Sequence, residues 1–116
     1  MLNRSGVLDE VFQALADPTR RLIVERLIES PASVSELAQP LPMSLPAVLQ
    51  HIQVLEACDL VRSEKVGRVR TCHLEPAALR RAEDWISGQR TAWEHRLDDL
   101  GAYLAEPPPP NDRTPT

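Results

Sequence analysis

The chain has 116 residues, of which 42% are hydrophobic and 26% are charged. This balance is typical of a single soluble globular domain and argues against both a wholly disordered chain and a multidomain enzyme. The formal net charge of −4 does not by itself indicate a nucleic acid as partner, so the distribution of charge along the chain has to decide that question.

The sequence predicts a cytoplasmic protein with no membrane span. The longest uncharged stretch, residues 37–55, contains three prolines and several polar residues, so it is not expected to cross a bilayer. Residues 1–6 lack the apolar run of a secretory signal. In a reducing compartment Cys58 and Cys72 are expected to remain free thiols.

The first two predicted helices lie close together in the chain. The hydrophobic period indicates an amphipathic helix over residues 7–15. A second helix should begin after Asp17, an N-cap acceptor, with Pro18 at its first position, and run to about Glu29. Its predicted inward residues are Leu22, Ile23, Leu27 and Ile28.

Two further predicted helices flank a turn that contains prolines. Ser33 and Glu36 have the spacing of a capping box, which predicts a short helix that the following prolines end. Ser44 caps the next helix, which should reach about Cys58. Its predicted inward residues are Val48, Ile52 and Leu55.

The remaining third of the chain changes character. Residues 60–74 are rich in β-branched residues around a Gly67-Arg68 turn, which predicts a hairpin of two short strands. A long helix should begin at Glu75-Pro76, with a stripe that needs a partner surface. The stripe consists of Leu79, Ala82, Ile86, Gln89, Trp93, Leu97, Leu100 and Leu104. We expect one domain over 1–106 and a disordered Pro-rich tail over 107–116.

The predicted fold is mainly α with a small β-hairpin wing, and the order helix-helix-helix-helix-hairpin-long helix is that of a winged helix-turn-helix. Three segments make the resemblance specific: residues 15–23 (LADPTRRLI), 34–38 (VSELA) and 46–55 (PAVLQHIQVL). They resemble the ArsR/SmtB family of bacterial repressors, especially a branch with the hairpin sequence GRVRTC at 67–72 and with Trp85 and Trp93 on the last helix. The resemblance implies a repressor that binds double-stranded DNA. We expect a homodimer on a palindromic or near-palindromic operator, and we expect no cofactor.

The predicted helix after Ser44 has an outward face suited to a major groove, because glutamine amides pair well with adenine and leucines can contact thymine methyl groups. The predicted base-reading residues are Ser44, Leu45, Pro46, Leu49, Gln50 and Gln53. An ordinary solvated helix face is the alternative interpretation of the same pattern. Leu49 stands where the family often has serine, so the family's operator sequence does not transfer directly.

The hairpin concentrates positive charge, since residues 61–74 carry four basic residues and one acidic residue in a chain of net charge −4. Such charge is expected where a wing lies along the DNA backbone, and two arginines of the second helix could add contacts. The predicted phosphate contacts are Arg20, Arg21, Arg62, Lys65, Arg68 and Arg70. A basic strand edge that only prevents aggregation is the alternative.

A monomer with so few phosphate contacts would bind DNA weakly, and a two-fold dimer that reads two half-sites would correct this. The predicted dimer surface comprises Leu8, Val11, Phe12, Trp85, Ile86, Trp93, Leu97 and Leu100. Covering the protomer's own core is the competing role for these residues.

No metal site is predicted. Family members commonly release DNA when a metal binds, but here the helix before the turn has no cysteine. On the last helix His95, Asp84 and Asp98 align with a second family site, yet Ala82 supplies no ligand atom.

Cys58 and Cys72 are interpreted as buried small hydrophobes, and His51 as a residue that packs and hydrogen-bonds to hold its helix. Asp59 stands where the family usually ends this helix with glycine, so the resemblance implies a left-handed turn there, which aspartate tolerates less cheaply than glycine. A metal- or thiol-responsive sensor using the last-helix ligands or the two cysteines is the alternative function. A winged-helix protein-interaction module is the alternative from another class, and no enzyme motif is found.

Overall fold

The computed structural model describes residues 4–105, with side chains from residue 6 onward. The chain divides into two units, Met1–Glu83 and Asp84–Thr116. In chain order the elements are α1 (Arg4–Leu15), α2 (Pro18–Glu29), β1 (Ala32–Ser33), α3 (Val34–Ala38), α4 (Leu45–Ala57), β2 (Val61–Val66), β3 (Val69–Leu74) and α5 (Pro76–Ala105). The tail predicted over 107–116 lies outside the described residues.

The helices begin where their capping residues predict. A carboxylate oxygen of Asp17 accepts the backbone N–H of Arg20 at 3.0 Å, with proline at the first helical position. The capping box of α3 is complete, since Ser33 Oγ accepts the Glu36 N–H at 3.1 Å and Glu36 Oε1 accepts the Ser33 N–H at 2.8 Å. Ser44 Oγ accepts the N–H three residues on, at 3.3 Å. Local hydrogen bonding thus sets three helix starts.

The core of the first unit is aliphatic. Its largest fully buried side chains are Val11, Ile23, Val48, Ile52, Leu55, Leu60 and Cys72. The predicted inward face of α4 is confirmed, but that of α2 is partly wrong: Leu22 is 53% and Ile28 is 63% exposed, and Val24 is buried instead. The buried stripe of α2 runs through positions 23, 24 and 27, and residues 22 and 28 lie roughly 100° or more from its centre.

The predicted hairpin is confirmed and belongs to a three-stranded antiparallel sheet of order β1-β3-β2. The β2–β3 register runs from Val61 opposite Leu74 to Val66 opposite Val69, and Gly67 makes the turn at φ +65°. Sequence reasoning missed β1, which is only two residues long and pairs Ala32 with Cys72. This short pairing attaches the α2–α3 connection to the hairpin.

The C-terminus of α4 ends in a left-handed turn at Asp59, whose φ is +63°. The Leu60 N–H donates to the Leu55 carbonyl at 2.9 Å, and the Asp59 N–H donates to the Glu56 carbonyl at 3.0 Å. These two bonds form a Schellman motif, and the side chains of Leu55 and Leu60 are both fully buried. The sequence-based expectation of a left-handed Asp59 is confirmed.

In the second unit the described residues form one helical segment, the continuation of α5 to Ala105. Its larger apolar side chains are all exposed in the single chain, among them Trp93 at 59% and Leu100 at 53%. None of the helices described combines the length and apolar content required to span a bilayer.

Candidate nucleic-acid interface

The outward face of α4 carries most of the residues predicted to read bases. Gln50 and Gln53 are exposed, as are Ser44, Leu45 and Pro46 at the start of the helix. Leu49 differs, because it is half-buried and packs against the core. The two amides are therefore the polar side chains that this face presents for hydrogen bonding beyond the first turn.

A cleft of about 480 Å³ separates the start of α4 from the hairpin. Its wall on the helical side consists of residues 33–35 with Leu45 and Leu49, and its wall on the hairpin side consists of Lys65, Arg68, Val69 and Arg70. Five residues predicted to contact DNA, Leu45, Leu49, Lys65, Arg68 and Arg70, thus line one cavity together with residues of α3. Sequence reasoning missed Ser35, an exposed hydroxyl of this cleft, although its place in the capping-box helix was a usable signal.

The four hairpin cations differ in their availability. Arg62 is committed to neighbouring acids, with Nε 3.3 Å from Glu75 Oε1 and Nη1 3.8 Å from Glu64 Oε1. Lys65 and Arg68 have no ion pair or side-chain hydrogen bond among residues 6–105. The tip of the hairpin therefore carries the two most available positive charges.

Arg70 belongs to a side-chain network that connects the hairpin with α4. Its Nη1 donates to Ser63 Oγ at 3.0 Å, and the Ser63 hydroxyl donates to a carboxylate oxygen of Glu56 in the last turns of α4. Arg70 also lines the cleft, so the network holds one cation at the cleft wall.

The first two arginines of α2, Arg20 and Arg21, donate to the C-terminus of α1. Arg20 Nε donates to the Ala14 carbonyl at 2.8 Å and Nη2 to the Gln13 carbonyl at 3.3 Å. Arg21 Nη1 donates to the Leu15 carbonyl at 2.8 Å. The last carbonyls of a helix lack partners within the helix, so both side chains act as C-caps of α1.

His51 of α4 lies near Arg20 of α2 and near Asp17, the residue that caps α2. Its Nδ1 is 3.3 Å from Arg20 Nη1 and 3.9 Å from Asp17 Oδ2. The backbone N–H of Arg20 and the guanidinium of Arg20 hold the pKa of Asp17 below its usual value. His51 is half-buried and makes the hydrogen-bond contact that the sequence leads one to expect, while its role in holding α4 stays a prediction.

Both cysteines are buried free thiols, as the sequence indicates. Burial raises the pKa of Cys58, and burial together with the nearby Glu56 carboxylate raises the pKa of Cys72 to about 11. Among residues 6–105, no three His, Cys, Asp or Glu side chains come together as a set of metal ligands.

The predicted dimer surface needs one correction. Val11 is 0% exposed and belongs to the protomer's own core, so its assignment to a contact with a second chain is wrong. Leu8 and Phe12 are half-buried against the same core. The five α5 residues of the prediction, Trp85, Ile86, Trp93, Leu97 and Leu100, are each exposed by about half, from 48% to 59%.

Known proteins share this arrangement. A family profile described as "Helix-turn-helix domain" matches residues 15–64. The HTH-type transcriptional regulator Rv2034 of Mycobacterium tuberculosis is 51% identical over 71 residues, which are 61% of this chain and 66% of that relative. The transcriptional repressor SdpR of Bacillus subtilis is 24% identical over 68% of this chain and 88% of its own length.

Two solved structures extend the similarity over most of the fold. A crystal structure of an ArsR family transcriptional regulator has a TM-score of 0.75 and 46% identity, and the match covers 81% of this chain and 97% of that one. An ArsR-like transcriptional regulator from Rhodococcus sp. RHA1 also has a TM-score of 0.75, with 34% identity over 90% of this chain and 98% of that one. With identity at this level over almost the full length of both solved chains, this chain belongs to the ArsR family of transcriptional regulators.

Proposed function

We propose that this chain represses transcription in the cytoplasm by binding, as a homodimer, to a palindromic or near-palindromic operator in double-stranded DNA. Each protomer presents α4 to the major groove and its hairpin to the sugar-phosphate backbone. We propose no catalytic activity and no metal or cofactor for this function.

The observation that carries the proposal is the cleft between α4 and the hairpin. One wall holds Leu45 and Leu49 of α4, and the other holds Lys65, Arg68 and Arg70. When α4 contacts the bases of a DNA strand, the phosphates of that strand lie beside the helix. Cationic side chains and the N-termini of helices stabilise phosphates bound there. The cleft thus supports base contact and phosphate contact on adjoining surfaces of one protomer.

Base reading is assigned to Gln50 and Gln53, because a glutamine amide can donate to adenine N7 and accept from its N6 amino group. Both side chains are exposed, and they lie three residues apart on the same face of the helix. Leu45, Pro46 and Leu49 supply apolar contacts to thymine methyl groups, and Ser44 lies at the helix start. Because these residues of α4 carry no charge, discrimination between DNA sequences depends on their hydrogen bonds and on their contacts with methyl groups.

Phosphate contact is assigned chiefly to Lys65 and Arg68, whose side chains carry no internal ion pair in the described residues. Arg70 acts from the cleft wall, while Arg62 would first have to leave Glu64 and Glu75. Arg21 keeps further N–H donors beyond its bond to the Leu15 carbonyl. With this few contacts per protomer, affinity should fall with salt at a moderate slope.

Dimerisation is assigned to the apolar stripe of α5. Trp93, Leu97 and Leu100 recur at helical spacing and are about half exposed in the single chain. Burying such a stripe against a second copy removes apolar surface from water, which favours association. Leu8 and Phe12 remain predicted contributors from α1.

The test begins with a duplex selected by the wild-type protein from a random library. Gln50→Ala and Gln53→Ala should each weaken binding to that duplex by about 1 to 3 kcal/mol and leave binding to random duplexes unchanged. Arg68→Ala should weaken binding to both classes and lower the salt slope by about one. Gln13→Ala, at an exposed glutamine of α1, is the matched control.

Two outcomes would contradict the assignment. If a glutamine variant loses the same binding affinity for selected and for random duplexes, α4 does not read bases. A wild-type protein that selects no preferred duplex would contradict sequence-specific binding altogether.

A further inference from the structure

We infer that Arg20 and His51 are positioning residues for DNA recognition, with Arg20 setting the placement of α4 through the His51 ring rather than holding a phosphate. The inference rests on the proposed function, because it takes α4 to be the helix that reads bases. It also replaces the phosphate contact that the sequence predicts for Arg20.

The guanidinium of Arg20 is held at all three of its nitrogens. Nε and Nη2 donate to the Ala14 and Gln13 carbonyls at 2.8 and 3.3 Å, and Nη1 lies 3.3 Å from His51 Nδ1. The planar fork of a guanidinium fixes these directions relative to one another. Arg20 therefore ties the end of α1 to the middle of α4 while it is itself part of α2.

The chemistry of the contact fixes the state of the histidine. A guanidinium has donors only, so Nδ1 of His51 must accept and its ring proton must lie on Nε2. The Asp17 carboxylate lies 3.9 Å from the same Nδ1 and also accepts the Arg20 backbone N–H at 3.0 Å. The N-cap of α2 thus fixes the backbone of the residue that carries the guanidinium.

The contact lies next to the residues assigned to base reading. A shallow groove of about 420 Å³ is lined by Arg20, Gln50, His51, Gln53, Val54 and Ala57, so the bridge and both amides share one surface. Rolling α4 about its axis would move His51 and its two glutamine neighbours together. A bidentate amide–adenine pair tolerates only small displacements, because hydrogen bonds weaken steeply as distance and angle depart from ideal values.

The experiment compares four single variants, one double variant and one control variant of the full chain. Each is measured on the selected duplex and on random duplexes, over a range of salt concentrations. Arg20→Gln and His51→Leu remove the contact. His51→Asn retains an acceptor near the position of Nδ1, and Arg20→Lys retains the charge without the fork. Arg80→Gln, at an exposed arginine of α5 with no bond among the described residues, controls for the loss of one positive charge.

We expect Arg20→Gln, Arg20→Lys and His51→Leu each to lower the preference for the selected duplex about tenfold, the scale of coupling between contacting residues. Binding to random duplexes and the salt slope should stay at wild-type values. His51→Asn should keep most of the preference. The double variant Arg20→Gln/His51→Leu should lose little more than either single variant, because both remove the same contact.

Three results would overturn the inference. The first is a salt slope lowered by about one in Arg20→Gln with equal losses on all duplexes, which is the behaviour of a phosphate contact. The second is an unchanged preference in His51→Leu. The third is a ¹⁵N spectrum that places the His51 ring proton on Nδ1, which would make the Arg20 contact impossible.

The variants separate this inference from the proposed function. If Gln50→Ala loses the preference while Arg20→Lys and His51→Leu keep it, α4 reads bases and only the positioning role fails. Thermal unfolding of each variant identifies any loss due to folding, and Arg20→Lys and His51→Leu leave the inference testable if Arg20→Gln does not fold.

Discussion

The Ser63 hydroxyl on β2 donates a hydrogen bond to a carboxylate oxygen of Glu56 on α4, so the helix assigned to base reading is joined by side chains to the hairpin that carries the cations. Ser63 also accepts from Arg70 on β3. A single hydroxyl therefore connects three elements of the proposed DNA-binding surface.

Removing this hydroxyl should loosen the hairpin. Ser63→Ala is expected to lower the free energy of unfolding by about 1 kcal/mol, because the part-buried Glu56 carboxylate loses its donor. Hydrogen exchange should accelerate in β2 and β3. Ser35→Ala, at an exposed serine whose hydroxyl makes no bond among the described residues, is the control. Equal stability of the two variants would contradict this role for Ser63.

The left-handed turn after α4 predicts a stabilising substitution. Asp59 has φ +63°, a conformation that glycine adopts without the Cβ penalty that other residues carry. Asp59→Gly should raise the free energy of unfolding by about 0.5 to 1 kcal/mol, and Asp59→Val should lower it. Denaturant titration measures both effects, and a less stable glycine variant would show that the Asp59 side chain contributes more than its backbone strain costs.

The buried thiol of Cys72 predicts a dependence of stability on alkaline pH. Its pKa is raised from 9.0 to about 11 in the folded chain. Above pH 9 the unfolded chain gives up this proton while the folded chain keeps it, so the free energy of unfolding should fall between pH 9 and pH 11. Cys72→Ala should show a smaller fall in urea titrations over the same interval.

The same burial predicts slow thiol chemistry. Since burial also raises the pKa of Cys58, both thiols should react with a disulfide reagent near pH 8 only after denaturation. Rapid labelling of the folded chain would contradict this prediction and would favour a thiol-responsive sensor.

The exposed stripe of α5 predicts the consequence of breaking the proposed dimer. Trp93→Glu or Leu97→Glu should produce monomers in analytical ultracentrifugation, because a charge in a buried apolar interface is costly. Affinity for the selected duplex should fall at least about tenfold, since two half-sites are no longer bound together. Glu94→Gln, on an adjacent exposed position of the same helix, is the control. A Trp93→Glu protein that stays dimeric would place the interface elsewhere.

The features predicted well from the sequence are those that short segments decide. The caps at Asp17, Ser33 and Ser44 satisfy N–H groups three residues away, so their spacing can be read directly. The hairpin turn and the left-handed Asp59 are local in the same sense.

The features that were missed depend on distant parts of the chain. A helical period allows either Leu22 or Val24 to face inward on α2. The elements packed against α2 decide that Val24 is the buried one. The two-residue strand β1 exists because β3, almost forty positions later, offers it an edge. The Arg20–His51 contact joins residues 31 positions apart. The sequence alone shows only that Arg20 is cationic, and a cationic residue at this position fits a phosphate contact equally well.

The double role of Asp17 limits which substitutions the start of α2 can accept. Serine, asparagine and aspartate are nearly interchangeable as caps, so helix stability alone would let this position drift among them. Only aspartate also brings a negative charge near the Arg20 guanidinium. Replacing Asp17 with asparagine or serine should therefore leave the melting temperature almost unchanged. It should still weaken the positioning of α4 through Arg20.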